Sequence, residues 1–188
     1  MPADIEKGSL AESFRDCIQK TLEEHCSVIF TKDAKVEQRD IIEYSSRMRV
    51  FGLEKFNDTC YIAVINLYGT PEQMKQKNTC GAIIAYVRED SAERLFKALL
   101  KGQEGEDEEL LMECTRVLSQ RILNNFKLKA AQFGYSSILA GEPAMYLSNV
   151  EEGVAFPYDE DTLYQVNCTL WREKVFVAEL VLAPAKNG

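Results

Sequence analysis

The sequence predicts an α+β fold, in which two long helices pack on a mostly antiparallel sheet. Two segments carry apolar residues at three- and four-residue steps, which indicates amphipathic helices. Segments rich in β-branched and aromatic residues lie between and after them, and turn-length connections join some of these. The 188 residues, 46% hydrophobic and 28% charged, are typical of a single globular domain, which we expect to span residues 1–188.

The first helix is predicted over about residues 10–29, with Ser9 as its N-cap and Glu12 completing a capping box. The longest helix is predicted over about 107–132 and ends before Gly134. Its core-facing stripe consists of Leu111, Cys114, Leu118, Ile122 and Phe126. A shorter amphipathic helix, SAERLFKALLKG, is predicted to be capped by Asp90 or Ser91 and to end at Gly102.

The β segments begin with residues 41–53 and 59–68, which we expect to form a hairpin across the polar turn EKFND. The segment TPEQMKQKN then reads as a connector with one helical turn. Residues 80–87 are nearly all apolar, so this strand should be central in its sheet. The carboxyl-terminal part predicts three more β segments, 136–147, 163–170 and 174–182, the last two as a hairpin around Trp171.

Charge and segment composition exclude several classes of function. The formal net charge is −8 and no basic patch is evident, so we expect neither nucleic-acid nor membrane binding. The amino end lacks a secretion signal and no stretch approaches a membrane span, which predicts a soluble, cytoplasmic protein. The six cysteines show no CxxC spacing and should be reduced, mostly buried thiols.

The common catalytic signatures GxSxG, GxxxxGK[ST], GxGxxG and HExxH are missing, and a single histidine cannot build a histidine-rich metal site. The acidic run Glu104–Glu109 is best interpreted as a solvated helix entrance. We therefore expect no cofactor and no metal.

The most informative surface lies on the long helix. Glu113, Arg116, Gln120 and Asn124 recur at three- and four-residue steps, roughly opposite the apolar stripe, so they should form one exposed polar face. Spacing alone is also compatible with an ordinary solvated face, in which Glu113 and Arg116 form a weak ion pair. We refer to these four residues as the polar face.

The run from Cys80 to Asn149 resembles the central unit of the CheC/CheX/FliY chemotaxis phosphatases, and is most similar to CheX. It contains an apolar strand (CGAIIAYV), a short helix, an acidic linker, a long helix (ELLMECTRVLSQRILNNF), a glycine turn and a strand near a proline. The order and spacing of these segments carry the resemblance, which covers about residues 79–149. The amino-terminal helix and the β segments after it resemble CheX more loosely.

The resemblance implies a protein that acts on a CheY-type receiver domain. In that family a Glu-x-x-Asn pair on the long helix removes the phosphoryl group of the receiver's phospho-aspartate, the glutamate contacting a lysine and the asparagine orienting water. By position the glutamate is Glu113, but Arg116 stands at the asparagine position, and Gln120 replaces a small residue. The literal Glu54-x-x-Asn57 falls in the predicted hairpin turn and is interpreted as coincidence.

Three hypotheses follow. The first is a CheX-like phosphatase in which Glu113 positions the complex and Arg116 or Gln120 takes over the role of the asparagine. The second is a non-catalytic adaptor or sensory module that binds a partner through the same helix. The third is a small-molecule enzyme on an unrelated α+β scaffold.

Two weaker expectations concern symmetry. The resemblance implies a homodimer, and the apolar carboxyl-terminal segment CTLWREKVFVAELVLA suggests a sheet edge that pairing would cover. A faint internal repeat relates Glu12 and Arg15 to Glu113 and Arg116. The repeat is too weak to transfer a second site onto the first helix.

Overall fold

The segments with helical periodicity form a helical layer, and the β segments form two sheets. A computed structural model describes residues 3–103 and 107–185. Within them the helices are α1 (Ala3–Cys26), α2 (Leu53–Phe56), α3 (Pro71–Lys75), α4 (Glu89–Leu100) and α5 (Glu108–Ala130), which a 3-10 turn (Ala131–Phe133) extends. None of these helices combines the length and the apolar character that crossing a membrane requires.

The ten strands in the described residues form two sheets. They are β1 (Lys35–Asp40), β2 (Glu43–Tyr44), β3 (Arg47–Phe51), β4 (Cys60–Tyr68), β5 (Gly81–Arg88), β6 (Leu139–Ala140), β7 (Ala144–Leu147), β8 (Asn149–Val154), β9 (Thr162–Leu170) and β10 (Glu173–Leu182). The large sheet has the order β1-β9-β10-β5-β4-β6, and β7 also pairs with β4. The small sheet has the order β2-β3-β8. Every strand pair is antiparallel, which confirms the predicted α+β class.

Strand β5 lies between β10 and β4, as its apolar sequence predicts, and it is buried on both faces. The hairpin around Trp171 is also confirmed, because β9 and β10 pair directly. Trp171 and Arg172 both adopt positive φ, as a two-residue hairpin turn requires. The indole of Trp171 packs beside the core under the Arg94 guanidinium, which lies 3.9 Å from the ring centroid.

The predicted hairpin between residues 41–53 and 59–68 is wrong. Strand β3 pairs with β2 and β8 in the small sheet, whereas β4 belongs to the large sheet. The residues between them form the one-turn helix α2, and Asn57 ends it in the left-handed conformation. This helix carries the chain from one sheet to the other, which a tight turn could not do.

The carboxyl-terminal β segments do not leave an apolar edge bare, so that expectation is also wrong. Strand β1 covers β9, and β10 lies between β9 and β5. Strand β1 was not predicted because its sequence, KVEQRD, is polar and its residues are half-buried or exposed. It is a charged edge strand, a form that discourages pairing with another sheet.

Helix boundaries follow the prediction where local capping decides them. The Asp107 side chain caps α5 by accepting from the Glu109 backbone N–H at 3.0 Å, and Gly134 ends the extension with φ of 88°. At α1 the prediction is wrong, because the helix already includes Ser9 and ends at Cys26. An ion pair with a distant part of the chain holds the first turns of α1, since Lys7 Nζ lies 2.9 Å from the carboxylate of Glu160, which precedes β9.

The start of α4 also differs from the prediction. The helix begins at Glu89, and its N-cap Arg88 makes no capping hydrogen bond through its side chain. The Ser91 hydroxyl instead donates to the Asp90 carboxylate at 2.9 Å. Arg88 is engaged by Asp90, whose Oδ2 lies 2.7 Å from its Nη2, and this ion pair holds the first turn in place of a cap.

Two hydrophobic cores lie on the two faces of the large sheet. On one face α1, α4 and α5 pack together, and the Phe14 and Phe126 rings meet edge to face with centroids 5.0 Å apart. On the other face Met48 and Val150 of the small sheet pack on apolar side chains of β4, β5 and β10. The large sheet therefore separates a helix side from a small-sheet side.

The six cysteines are free thiols, and five of them are buried. Burial raises the pKa of Cys17 to about 11, and that of Cys26 and Cys60 to about 12, from an ordinary value of 9.0. Removal of the thiol group from water disfavours the thiolate, which is the dominant cause in each case.

These thiols predict a loss of stability at alkaline pH. Above the unfolded pKa of 9.0 the unfolded chain loses thiol protons that the folded chain keeps, so the free energy of unfolding falls as pH rises toward the folded values. The largest effect is about 1 kcal/mol per thiol and pH unit. Urea unfolding with reductant at several pH values should show this fall, and a shallower one for Cys60→Ala. Stability that stays constant above the unfolded pKa would contradict it.

Candidate functional site

The polar face of α5 is directed away from the core. Leu118 and Ile122 are buried against the sheet, so residues offset from them by half a turn point outward. The side chains of Glu113 and Arg116 are 52% and 36% exposed. The structure therefore brings the sequence-predicted residues together on one surface near the middle of the helix.

Glu113 and Arg116 form a bidentate ion pair. Arg116 Nε donates to Glu113 Oε2 at 2.7 Å, and Arg116 Nη2 donates to Glu113 Oε1 at 2.6 Å. The hydrogen bond from Arg116 lowers the pKa of Glu113 and in turn raises the pKa of Arg116. At neutral pH the pair is fully ionised, which suits recognition of charge rather than proton transfer.

Gln120 and Asn124 form the second pair of the polar face. Gln120 Nε2 donates to Asn124 Oδ1 at 3.3 Å, a longer and weaker contact than the ion pair. Because the amide nitrogen of Gln120 makes the contact with Asn124, its amide oxygen is not used in this hydrogen bond and can accept another. Gln120 therefore offers an acceptor oxygen one helical turn beyond Arg116.

The neighbouring Asn125 has a structural role that the sequence did not predict. Its Nδ2 donates to Thr21 Oγ1 at 2.9 Å, and the Thr21 hydroxyl donates to the Cys17 carbonyl at 2.6 Å. These bonds join α5 to α1 on the buried side. They hold the polar face at a fixed rotation relative to the helical layer.

Glu142 is a charged neighbour that sequence reasoning missed. It lies in the loop between β6 and β7, and its negative charge contributes to raising the pKa of Arg116, after the larger effect of Glu113. A sequence signal was available, because Glu142 directly precedes Pro143, the proline near the strand that follows the glycine turn in the family resemblance. The guanidinium is thus influenced by a carboxylate from the helix, which it contacts, and by the more weakly acting charge of one from this loop.

The other sequence patterns lie elsewhere. Arg15 pairs with Asp16 at 2.9 Å rather than with Glu12, so α1 does not repeat the ion pair of α5. Glu54 lies on α2 on the small-sheet side and pairs with Arg49 at 2.7 Å, and Asn57 caps that helix. This placement agrees with the interpretation of Glu54-x-x-Asn57 as coincidence.

Metal binding has no geometric support in residues 3–103 and 107–185, where no group of three or more His, Cys, Asp or Glu side chains could hold an ion. Glu104, Gly105 and Glu106 of the acidic run lie outside the described residues.

Comparison with solved structures identifies the fold. CheX from Vibrio vulnificus matches 92% of this chain and 98% of its own, with 13% identity and a TM-score of 0.59. FliY from Thermotoga maritima matches 97% and 91%, with 12% identity and a TM-score of 0.60. This chain has the CheC/CheX/FliY-like fold. CheX in a CheX-CheY-BeF3-Mg complex from Borrelia burgdorferi matches 92% and 96%, with 14% identity and a TM-score of 0.55.

The CheX-like fold covers 92% of the chain, far more than the segment that carried the sequence resemblance. No family model and no curated protein matches the sequence. The unrelated scaffold of the third hypothesis is therefore wrong. At these identities, of 12–14%, the comparisons establish the fold alone.

Proposed function

We propose that this protein binds a CheY-type receiver domain through the polar face of α5 and accelerates the loss of its phosphoryl group. The observation that carries the proposal is the exposed, bidentate Glu113–Arg116 pair at the position where the family has its Glu-x-x-Asn pair. The Borrelia burgdorferi structure supports the class of partner, since it contains a protein of this fold in complex with CheY.

Arg116 would act on charge in this site, because a guanidinium has five N–H donors and no acceptor. Nε and Nη2 are committed to Glu113, and among the described residues Nη1 makes no hydrogen bond, so its donors can reach a phosphoryl oxygen. Glu113 would meet the receiver's lysine, as in the resemblance. Both contacts consist of positioned charge, which is the main source of catalysis in phosphoryl transfer.

The attacking water needs an acceptor that Arg116 does not have. The Gln120 amide oxygen can accept a hydrogen bond from that water while its nitrogen stays on Asn124. The water oxygen then forms the bond to phosphorus as the bond to the aspartyl oxygen breaks. Both protons of the water remain with the phosphate, which leaves as dihydrogen phosphate, and the aspartate carboxylate is restored.

A second candidate function is a non-catalytic adaptor with the same docking face. The bidentate geometry favours it, because each carboxylate oxygen of Glu113 already accepts a hydrogen bond from Arg116, which leaves fewer lone pairs for a receiver lysine. A lysine docking against Glu113 would compete with the Arg116 guanidinium for the same carboxylate. A module that only binds could keep the pair intact and contact the receiver through Asn124 and Gln120.

The decay of aspartyl phosphate on a panel of receiver domains from the host separates these functions. We expect the wild-type protein to accelerate decay, and Glu113→Ala and Arg116→Ala each to reduce that acceleration by about tenfold or more. Glu23→Ala is the matched control, because Glu23 is an exposed glutamate on α1. It should leave the rate unchanged.

Unchanged decay with measurable receiver binding would identify the adaptor and overturn the phosphatase. Absence of both binding and acceleration across the panel would overturn both functions. Gln120→Ala tests the assigned acceptor separately, since it should lower the rate of decay without abolishing binding. Equal loss for Gln120→Ala and Glu23→Ala would remove Gln120 from the mechanism.

The homodimer is a further proposal that rests on the resemblance alone. The exposed edge strand β1 carries Lys35, Glu37 and Arg39, and such charges oppose edge-to-edge pairing. Light scattering at about tens of micromolar tests the dimer, since specific protein pairs of this kind associate in or below that range. A monomer at that concentration would contradict it.

A further inference from the structure

A second polar site lies on the small-sheet side, away from the polar face of α5. It is a cleft of about 450 Å³ between strand β1, strand β3, helix α2 and the outer face of β9 and β10. Its volume falls within the range of small-molecule sites. Apolar walls are contributed by Ile42, Phe51 and Leu163, and the rest of the lining is mostly polar and charged.

The floor of this cleft is a buried ion pair in the middle of the large sheet. Glu179 on β10 is 4% exposed. It accepts a hydrogen bond from Lys55 Nζ at 2.5 Å and another from the Tyr86 hydroxyl at 2.6 Å. Lys55 also donates to Gln165 Oε1 at 2.8 Å.

Stability alone does not account for this group of side chains. A buried ion pair loses its hydration, and apolar residues of similar volume in its place are often neutral or stabilising. The surrounding positions of β4, β5 and β10 are apolar and would accept such residues. The polar groups are placed where this sheet face opens to a cleft.

The cleft carries positive charge that the protein does not pair. Arg49 is held by Glu54 at 2.7 Å, Arg39 by Glu37 at 2.9 Å and Lys55 by Glu179. Lys174, which also lines the cleft, makes no ion pair within the described residues. Its pKa is lowered first by burial and then by the charge of Lys55, while Glu37 acts in the opposite direction and Arg39 has the smallest effect.

Neither nearby carboxylate forms an ion pair with Lys174: Asp40 lines the cleft without contacting it, and Glu37, which pairs with Lys35 and Arg39, acts on it only through its charge. Strand alternation places Asp40 on the same face of β1 as Val36, which packs against the helix-side core. It is also not among the charges that shift the pKa of Lys174. Among the described residues that line the cleft, Lys174 is therefore the cation without an ion-pair partner, whereas Lys55 and Arg39 are paired with Glu179 and Glu37.

We propose that this cleft binds a small organic anion. Its carboxylate or phosphate group lies against Lys174 and Arg39, and its apolar part lies against Phe51 and Ile42. Bound anion supplies the charge partner that Lys174 otherwise lacks, and the Lys55–Glu179 pair holds the floor in place. The site is independent of receiver binding, since it lies across the large sheet from α5.

The proposal is tested by heteronuclear NMR titration of the full chain with phenyl phosphate and with phenylacetate. Inorganic phosphate and phenol, which correspond to the two halves of phenyl phosphate, are titrated separately as controls. We expect saturable shifts of amides in α2, β9 and β10 with one or both organic anions, and weaker binding of either half. Lys174→Gln should weaken the affinity by about tenfold, the size expected for a charged group in direct contact.

Lys97→Gln is the matched control, because it removes the same charge from an exposed position on α4. It should leave the affinity unchanged, and Lys174→Arg should retain it. Preference for phenyl phosphate or for phenylacetate distinguishes a phosphate ligand from a carboxylate ligand. Equal weakening by Lys97→Gln, shifts centred on α5, or no saturation up to about 10 mM probe would each overturn the proposal.

Discussion

Replacement of Phe126 by alanine is expected to lower the free energy of unfolding by about 3–5 kcal/mol. Phe126 is fully buried on α5, and its ring meets Phe14 of α1 edge to face at 5.0 Å. The substitution removes this aromatic contact and leaves a cavity between the two helices and the sheet, which the surrounding side chains refill only in part. Urea unfolding followed by circular dichroism measures the change.

The control for this prediction lies two residues further along the same helix. Leu128 is 75% exposed, so Leu128→Ala removes an apolar side chain of comparable size without opening a cavity. It should change the free energy of unfolding by less than about 0.5 kcal/mol. Similar losses for the two variants would mean that the interface between α1 and α5 does not have the packing described above.

Glu179→Ala is expected to destabilise the protein by about 3–5 kcal/mol, because it leaves the Lys55 ammonium without its buried partner. The Tyr86 hydroxyl also loses its acceptor, which adds to the cost. Burial and the Glu179 carboxylate raise the pKa of Tyr86 well above its ordinary value, so the phenol remains a donor at neutral pH. Chemical unfolding at pH 7 tests this result.

The triple variant Lys55→Met, Tyr86→Phe and Glu179→Leu separates the cost of an unpaired charge from the value of the ion pair. It replaces all three polar groups by apolar ones of similar volume, so more than half of the stability lost in Glu179→Ala should return. The Gln165 amide keeps its bond to Asn167 at 2.8 Å in this variant. A triple variant as unstable as Glu179→Ala would show that the ion pair stabilises the fold.

The triple variant also connects stability with the proposed anion site. If the buried group serves the cleft, the variant folds and binds phenyl phosphate or phenylacetate more weakly. If it serves only the fold, the variant is destabilised and its remaining folded fraction binds as the wild type does. Wild-type affinity in a stable triple variant would limit the site to Lys174 and Arg39.

The elements that the sequence predicted well are those whose signal is local. Helix α5 was predicted within about two residues at each end, because Asp107, Gly134 and the apolar stripe all lie within its own segment. Strand β5 was placed centrally because both of its faces are apolar. The predicted hairpin between residues 41–53 and 59–68 failed because the chain passes there from the small sheet to the large sheet.

Strands β1 and β8 show why the rest was missed. Strand β1 is polar and forms only because β9 offers it a paired edge. Strand β8 contains Gly153 at φ of 68°, where an added Cβ would lie 2.8 Å from the Met48 carbonyl oxygen. The register between β3 and β8 shifts beside this glycine, which obscures the alternation that predicts a strand.

By itself the sequence determined the α+β class, the long helix and the outward placement of Glu113, Arg116, Gln120 and Asn124, because helical periodicity orders neighbouring side chains without reference to the rest of the chain. The tertiary structure alone decided which distant charges influence one another, as the charge of Glu142 acts on Arg116 and Lys55 contacts Glu179 across 124 positions. Such contacts depend on which strands pair and in which register. That choice is made by packing over the whole chain, so no local pattern contains it.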